Sequence, residues 1–490
     1  MKHAKLAILL LVLAATAAAQ DLRDQVTLVT LDNGLRVLFV DSGAAPVIAI
    51  NLMFDVGGVD EPAGLGGIAH MVEHMAFKGT PSIGSLDLEA EAAALAAVEV
   101  RALSLKYLRE HGSPEEVEAA EAAFAEARDR AQQLALTSPL DALFSTNGGV
   151  GLNASTGYDR TSYVLSIPSN RLELYARVYA DVLLGTIFRQ FYEERDVVRQ
   201  ERRQRNEDDP QGFLFEAFTG AAFDHHPYGR SLIGAAEEIE GYTATAAQAF
   251  FEAFYYPNRA VLALVGDVEV ERDLPTIERY FGVLEPGPDL RPRLTSEPPQ
   301  LAEKRIVVEY DAEPQILIGY HKPTYPHRDA FVLDMVDAVL SSGRTSRLFQ
   351  RMVLQDQSAL DITTSSGYPA VRYNNLFVFY GLPRAPFGTA DLETAFLEEI
   401  EELKVELISD EELQKVKNQV RASSVLSLAS SSGLASTLAF HELFAGGWEV
   451  FITDFEIYES ITAEEIRTAV GKYFTAENRT VAELMRAEAE

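Results

Sequence analysis

The order of hydrophobic and polar stretches divides the chain into two similar series of elements. In the first series, the stretch 35–54 has the apolar pattern of buried strands, and 66–77 has that of a buried helix. The second series opens with strand-like stretches at 306–310 and 315–320, and a helix is predicted at 329–340. Strand and then helix therefore recur in the same order, which predicts a duplicated unit.

A stretch rich in proline and charged residues separates the two series. We interpret 285–304 as a linker between a first half, 21–284, and a second half, 305–490. A chain of 490 residues is too long for a single hydrophobic core. Two globular halves are therefore predicted.

A further helical segment interrupts the first half between positions 82 and 140. It is rich in Ala, Glu and Leu, which favour helices. Ser113 and Glu116 have the spacing of a capping box, and Pro114 suits the first helical position. A helical hairpin over 86–136 is predicted, and it serves either as a lid or partner contact or as a solvated addition without a role.

The first twenty residues have the pattern of a secretory leader. Lys2 and Lys5 precede an apolar run at 6–15, and small residues at 17–19 suit cleavage after residue 19 or 20. The run is too short to span a membrane, and no later segment has the length and apolarity of a span. A mature chain without a membrane span, periplasmic or secreted, is expected. The absence of cysteine excludes disulfides and a lipoprotein leader.

Acidic residues outnumber basic ones, 74 to 42, and the net charge is −32. A field of this sign argues against nucleic acid as a partner. The negative charge favours basic peptides as ligands, or it contributes only to the solubility of the protein.

The string His70-Met71-Val72-Glu73-His74 carries the strongest chemical signal. On a helix, positions i and i+4 lie on one face, so both imidazoles can reach one metal ion, with Glu73 close to that face. Two imidazoles and a carboxylate are the parts of a zinc hydrolase, and the order His-x-x-Glu-His is the inverzincin signature. The alternative is a chance string, but it lies in a predicted apolar helix, where polar groups require partners.

A third metal ligand is sought downstream, in the charged segment 191–203. Glu194 and Glu201 are seven residues apart, which is two helical turns, so both project from one face. From the pattern alone, a solvated charged helix remains the commoner explanation for either carboxylate.

Several motifs in a fixed order resemble the M16 family of metallopeptidases, which includes pitrilysin, insulin-degrading enzyme and mitochondrial processing peptidase. The segments that carry the resemblance are 30–37, 67–80, 152–163, 226–229 and 256–267, and the resemblance extends over nearly all of the chain after the leader. The resemblance implies an α+β fold of two homologous halves, each a mostly antiparallel sheet flanked by helices, around a cleft.

The resemblance also implies roles for the residues that match the family's motifs. His70, His74 and Glu201 would bind one zinc ion per chain, Glu73 would be the general base, and Glu194 would orient a ligand.

Two further segments would contact substrate. Asn153 and Ala154 would present backbone to an extended peptide that adds as a strand to the sheet edge. Phe77 would line the pocket beyond the cut bond, or it belongs to the core.

The chain departs from the family pattern in two places. Glu201 lies 127 residues after His74, a longer gap than usual, and the excess falls within 82–140. An Arg and a Tyr that many members carry in the second half align with Val353 and Leu360, which cannot donate hydrogen bonds. Nearby residues do not form the pair: Arg344, Arg347, Arg351 and Tyr368.

The function implied is zinc-dependent endopeptidase activity on extended peptides or unfolded segments. The missing pair implies the zinc-bearing subunit of a heterodimer, whose second M16 chain supplies the Arg and the Tyr, or a homodimer. The alternative is a non-catalytic peptide-binding or assembly subunit.

Overall fold

A computed structural model describes residues 22–43, 45–288 and 294–487. The predicted leader lies outside the described residues. None of the helices in these three segments has the length and apolar composition that crossing a membrane requires.

The first half contains a six-stranded sheet with the order β1-β2-β6-β3-β5-β4. Neighbouring strands are antiparallel except β2 and β6, which are parallel. The central strands are apolar at nearly every position because both faces of the sheet are covered. The strands are β1 (Val26–Thr30), β2 (Arg36–Asp41), β3 (Val47–Phe54), β4 (Val150–Thr156), β5 (Thr161–Pro168) and β6 (Ala260–Gly266).

The second half contains a five-stranded sheet with the order β7-β11-β8-β10-β9. Its only parallel pair is β7 with β11, so the sheet repeats the first one without β1. This topology confirms the predicted duplication. The strands are β7 (Lys304–Tyr310), β8 (Gln315–Lys322), β9 (Ala359–Tyr368), β10 (Asn375–Pro383) and β11 (Arg479–Arg486).

Ten α-helices of six or more residues are described in the first half, and nine of them contribute to the main core on one face of the first sheet. The helices are α1 (Ile68–Met75), α2 (Leu88–His111), α3 (Pro114–Gln132), α4 (Pro139–Thr146), α5 (Leu172–Leu184), α6 (Phe191–Arg202), α7 (Pro210–Ala222), α8 (Ala236–Gly241), α9 (Ala244–Phe254) and α10 (Val270–Phe281).

The second core lies between the second sheet and four helices of its own half, α11, α12, α13 and α16. The six described helices of this half are α11 (Arg328–Ser341), α12 (Thr389–Val405), α13 (Asp410–Ser427), α14 (Ser431–Phe444), α15 (Val450–Ser460) and α16 (Ala463–Tyr473).

Each half contributes a helix to the other half's sheet. From the second half, α14 covers the outer face of β3 and β6, where Leu438 and Ala439 join a buried apolar cluster. From the first half, α7 covers the second sheet, and Phe218 lies against Gly319 of β8. A Cβ atom at position 319 would lie 2.4 Å from the Phe218 ring, so this packing requires glycine. The exchange fixes the two halves on either side of a cleft.

The predicted helical hairpin is present as α2 and α3. Its capping box forms as expected, since Ser113 N–H donates to Glu116 Oε2 at 2.8 Å and Glu116 N–H to Ser113 Oγ at 3.3 Å. A buried ion pair joins the base of α2 to the core, with Arg189 and Glu91 in bidentate contact at 2.8 Å. Arg189 also donates to the carbonyl of Lys78, three residues after α1. The hairpin is therefore anchored close to the helix of the His-x-x-Glu-His string.

Candidate metal centre

The helix α1 is held in place at its first turn. It begins after Gly67, whose φ of 85° favours glycine, and a Cβ there would lie 2.2 Å from the carbonyl oxygen of Ile233. The Glu61 carboxylate accepts the N–H groups of Gly67 at 2.8 Å and Ala69 at 3.0 Å. These donors would otherwise be unpaired at a helix N-terminus.

The helical period places the apolar and polar residues of α1 on opposite faces. Met71, Val72 and Met75 are buried in the main core. His70, Glu73 and His74 therefore face away from that core, and all three line the cleft between the halves.

Three side chains converge at one point of the cleft. Glu201 Oε2 lies 3.7 Å from His70 Nε2 and 3.6 Å from His74 Nε2. One ligand atom from each residue lies within 4.8 Å of the other two. Tetrahedral zinc with bonds of about 2.0–2.1 Å separates neighbouring ligand atoms by about 3.4 Å. The spacing and the donor types therefore fit zinc.

The helix α6 supplies both acidic groups from one face, as the seven-residue spacing predicted. Glu194 Oε2 lies 3.7 Å from His74 Nδ1, the ring nitrogen that faces away from Glu201. Lys78 forms an ion pair with the same carboxylate. A carboxylate on the outer nitrogen of a metal-binding histidine fixes the orientation of the ring. Glu194 is placed for that role.

The two imidazoles have opposite protonation tendencies in the absence of an ion. Burial, together with the neighbouring His74, lowers the pKa of His70 to about 4. Burial would also lower the pKa of His74, but the carboxylates of Glu194 and Glu201 outweigh it and raise that pKa to about 9. The buried Nδ1 atom of His70 has no hydrogen-bond partner. His70 therefore offers a neutral ring nitrogen. The His74 ring holds a proton between two carboxylates, and a bound cation would replace that proton.

Glu73 is only 7% exposed and is held by a hydroxyl of the edge strand. Thr156 Oγ1 donates to Glu73 Oε2 at 2.6 Å. Burial raises the pKa of Glu73, and the Thr156 bond opposes that shift. A carboxylate whose pKa is raised is a stronger proton acceptor than an ordinary carboxylate.

The cleft is a cavity of about 980 Å³ between the two halves. Its wall in the first half includes Asn153 and Ala154 on β4, the edge strand of the first sheet. Within the described sheet, the outer side of β4 has no neighbouring strand. The edge is therefore open to strand addition, and the substrate contact that the resemblance implies for Asn153 and Ala154 stays a prediction.

Phe77 does not line the cleft. Its ring centroid lies 6.3 Å from that of the buried Tyr163, and the side chain packs against the main core. Of the two interpretations that the sequence allowed, the structure favours the core position. Helical periodicity would place residue 77 close to the His70 face, but α1 ends at Met75, before that residue.

Val353 and Leu360 lie away from the cleft wall. Val353 packs against the second core, and Leu360 is 52% exposed on β9. Arg347 pairs with Glu412 at 2.8 Å, and Arg351 contacts Glu399 at 3.3 Å. Neither arginine lines the cleft.

The second half reaches the cleft through other residues. Tyr368, at the end of β9, lines it, as does Phe440 of α14. The guanidinium of Arg160, from the turn between β4 and β5, lies 5.6 Å from the centroid of the Phe440 ring. The contact of Arg160 with Phe440 could not be predicted from the sequence, because it exists only where the two halves meet. Thr156 lies in a motif that the sequence highlighted, but its bond to Glu73 depends on the packing of α1 against β4.

Comparisons with known proteins find matches to both halves of the chain. The family model described as Insulinase (Peptidase family M16) matches residues 36–102 and 135–236. The model described as Peptidase M16 inactive domain matches residues 241–420. The unmatched residues between the two parts of the first match, 103–134, run from within α2 to just after α3, inside the segment that the sequence identified as additional.

Individual relatives are similar over most of their length. The chain is 26% identical over 444 residues to zinc protease PqqE of Helicobacter pylori, covering 88% of this chain and 86% of that protein. It is 27% identical over 453 residues to uncharacterized zinc protease ML0855 of Mycobacterium leprae, covering 89% and 86%.

Solved structures share the fold. A protease from Helicobacter pylori superposes with a TM-score of 0.78 at 24% identity and covers 94% of this chain and 99% of its own. A peptidase M16 inactive domain from Pseudomonas fluorescens gives a TM-score of 0.73 at 15% identity, with 95% and 98% covered.

Proposed function

The chain belongs to the M16 peptidase family, and we propose that it is a zinc-dependent endopeptidase that cleaves extended peptides or unfolded segments. The observation that carries this proposal is the convergence of two imidazole nitrogens and the Glu201 carboxylate on one point, with Glu73 beside them. The relatives named zinc proteases support the same activity.

The reaction divides between the metal and the carboxylates of the chain. His70, His74 and Glu201 would hold one zinc ion, which when bound lowers the pKa of water and polarises a carbonyl. Glu73 accepts the proton of the attacking water and passes it to the leaving amine nitrogen. Thr156 fixes the orientation of the Glu73 carboxylate. Glu194 fixes the orientation of the His74 ring.

Substrate binding would use the backbone more than the side chains. A peptide added to β4 pairs with main-chain groups at Asn153 and Ala154, which fixes register without requiring one sequence. The cleft lies between the halves, and α7 and α14 cross from each half to the other. An extended segment fits this space better than a folded domain.

The second half supports a further proposal on subunits. Val353 and Leu360 cannot hold a substrate carbonyl, and neither lies in the cleft. We propose that full activity requires a second M16 chain with an Arg/Tyr pair, or a second copy of this chain. The leader pattern in residues 1–20 supports a periplasmic or secreted location.

A non-catalytic peptide-binding or assembly subunit is the second candidate. It is favoured by the match of residues 241–420 to a model described as an inactive domain. The complete cluster around Glu201 favours catalysis instead, since a subunit that only binds peptides does not require a general base.

The test is peptide cleavage by the purified, zinc-loaded chain, alone and with a second M16 chain. Internally quenched peptides of basic and neutral composition serve as substrates. Glu73→Gln is the inactive variant, and Glu193→Gln is the matched control, because Glu193 pairs with Arg128 of the hairpin.

We expect wild-type and Glu193→Gln protein to cleave and Glu73→Gln protein to bind zinc without cleaving. Zinc-loaded wild-type protein that binds peptide and cleaves nothing, with or without the second chain, would establish the non-catalytic alternative.

A further inference from the structure

Two arginines line the cleft, and they differ in their partners. Arg205 pairs with Glu201 Oε1 at 2.9 Å. Arg160 forms no ion pair with the residues that the structure describes, and its guanidinium has two other neighbours. Its Nη1 atom lies 4.0 Å from the sulfur of Met53, and its central carbon lies 5.6 Å from the centroid of the Phe440 ring. Neither neighbour offers an oxygen acceptor, so the wall of the cleft carries a cation without an ion-pair partner.

The neighbouring carboxylate in the chain, that of Asp159, is bonded to other donors. Its Oδ1 atom accepts the hydroxyl of Tyr228 at 2.8 Å. Its Oδ2 atom accepts the N–H groups of Val371 at 3.2 Å and Arg372 at 3.1 Å. Burial lowers the pKa of Arg160, and the attraction of Asp159 only partly opposes that shift. A partly buried cation without a bonded anion is costly, so the site favours a ligand that brings a negative charge.

The turn that carries Arg160 is held in place before any ligand binds. Gly157 N–H donates to the Arg160 carbonyl at 2.8 Å, and the Gly157 carbonyl accepts the N–H of Gly58 at 3.1 Å. A Cβ atom at Gly57 would lie 2.3 Å from the same carbonyl oxygen, so this close approach requires glycine. A cation on a fixed turn loses less conformational freedom on binding than one on a mobile loop.

Arg160 lies next to the strand that would receive the substrate. The strand β4 ends at Thr156, whose hydroxyl bonds Glu73, and the turn that follows it ends at Arg160. A peptide added to β4 would therefore have the general base near the end of the strand and the guanidinium in the turn beyond it. Because a strand advances about 3.3 Å per residue, the two are separated by a few positions of the peptide.

We propose that Arg160 binds a carboxylate of the substrate at one position close to the cut bond. This inference rests on the proposed function, which places an extended peptide in the cleft. The carboxylate belongs either to an acidic side chain of the peptide or to its C-terminus. A guanidinium binds a carboxylate through two parallel hydrogen bonds and can keep an aromatic ring against its face. Arg160 is therefore a specificity-determining residue, with Phe440 supporting its side chain.

The overall charge of the protein acts against such a preference. The net charge is −32, so an acidic peptide is repelled at long range. A gain in affinity from one carboxylate at one position must therefore come from a local cation, which separates this proposal from general electrostatic attraction.

Peptide binding to inactive protein tests the proposal without requiring turnover. One set of fluorescent peptides has amidated C-termini and differs at a single position, which is glutamate, glutamine or lysine and is moved along the peptide. A second set has neutral side chains, varied length and either a free or an amidated C-terminus. Affinities are measured by fluorescence anisotropy with zinc-loaded Glu73→Gln protein.

We expect a carboxylate to improve binding in one of the two sets. At one position glutamate, or at one length a free C-terminus, should bind at least about tenfold more tightly than its neutral counterpart. A gain in the first set identifies an acidic side chain as the source of the carboxylate, and a gain in the second set identifies the C-terminus.

Variants of Arg160 locate the effect. Added to Glu73→Gln, Arg160→Gln should reduce the preference to below about threefold and leave the affinity for the neutral peptide within about twofold. Arg160→Glu should make lysine bind more tightly than glutamate at the same position. Arg160→Lys retains the cation and should retain part of the preference. Arg101→Gln is the matched control, since it removes one exposed positive charge from α2, outside the cleft wall. Melting temperatures identify variants that fail to fold.

The outcomes separate Arg160 from the proposed activity. Equal affinity for charged and neutral peptides in both sets would overturn the proposal, as would a preference that survives Arg160→Gln. An equal loss for all peptides in Arg160→Gln protein would show that the arginine only joins the two halves. Absence of peptide binding would also overturn the proposal. Position-specific binding of a carboxylate without cleavage by wild-type protein would support the role of Arg160 and contradict the proposed hydrolysis.

Discussion

The two halves of the chain share a sheet topology but differ in how the helix beside the edge strand uses its polar groups. In the first half, α1 packs on β4, and Thr156 donates to Glu73. In the second half, α11 packs on β9, and Thr364 donates to Asp337. The same contact between helix and edge strand therefore recurs after duplication.

The two helices differ in the partners of their other polar side chains. On α11, Asp334 is bonded by Ser366 and Tyr458, so hydroxyl groups of the protein satisfy the buried carboxylate. On α1, His70 and His74 direct nitrogens at Glu201 across distances too long for hydrogen bonds. The comparison teaches that one scaffold supports either a polar core whose hydrogen bonds are complete or a cluster of donors spaced as an ion would need.

The largest difference is expected when the corresponding carboxylates of the two halves, Glu73 and Asp337, are each replaced by the amide. Glu73→Gln should lower kcat by about 10³-fold or more and leave zinc content unchanged, since the variant removes only the proton acceptor. Asp337→Asn should leave kcat within about twofold of wild type, because its carboxylate serves only the second core. Steady-state kinetics with metal analysis checks both. A similar loss in both variants would contradict the division of roles between the halves.

The next effect concerns the orientation of a ligand. Glu194→Gln should weaken zinc binding by about 10–100-fold, because the outer nitrogen of His74 loses its charged partner. Competition with a chromophoric chelator measures the affinity, and Glu193→Gln serves as the control one residue away. Unchanged affinity in Glu194→Gln protein would remove this residue from the site.

A smaller effect is expected at the hydroxyl beside the base. Thr156→Val should lower kcat by about tenfold, which corresponds to the lower end of the about 1.5–3 kcal/mol that a hydrogen bond to a charged group contributes. Thr156→Ser keeps the donor and should recover most of the rate. The variant's zinc content should match that of wild type. If valine and serine had equal effects, the hydrogen bond would not be the cause.

The last prediction concerns stability and not the reaction: a pH dependence that arises in the second half. Burial raises the pKa of Asp337 from 3.8 to about 6 in the folded chain. Between these values the unfolded state has released a proton that the folded state retains, so stability falls as pH rises from about 4 to about 6 and is constant above.

Removing that carboxyl should remove its share of the pH dependence. Relative to wild type, Asp337→Asn should gain up to about 3 kcal/mol over this range, or several degrees in Tm. Calorimetric scans at pH 4, 5, 6 and 7 measure the gain. A constant difference between the two proteins across this range would show that Asp337 does not titrate between folded and unfolded states.

Features that depend on local spacing could be predicted from the sequence. The i, i+4 histidines, the two-turn spacing of Glu194 and Glu201, and the Ser113 capping box each follow from helical geometry. The duplication was visible because buried strands and helices have distinct periods.

Features that depend on contacts between the halves could not be predicted. The exchange of α7 and α14 leaves no periodic signal, since either helix would be amphipathic in any arrangement. The position of Arg160 over Phe440 arises from the same long-range packing. Phe77 illustrates the limit at short range, because its direction depends on where α1 ends.

The central claim is that His70, His74 and Glu201 form a single zinc site. The most direct test is the zinc content of the purified chain by mass spectrometry, for wild type, Glu201→Gln and Glu193→Gln after dialysis against a weak chelator. We predict one zinc ion per chain in wild type and Glu193→Gln, and zinc at background level in Glu201→Gln. Equal zinc in all three proteins, or none in wild type, would contradict the account.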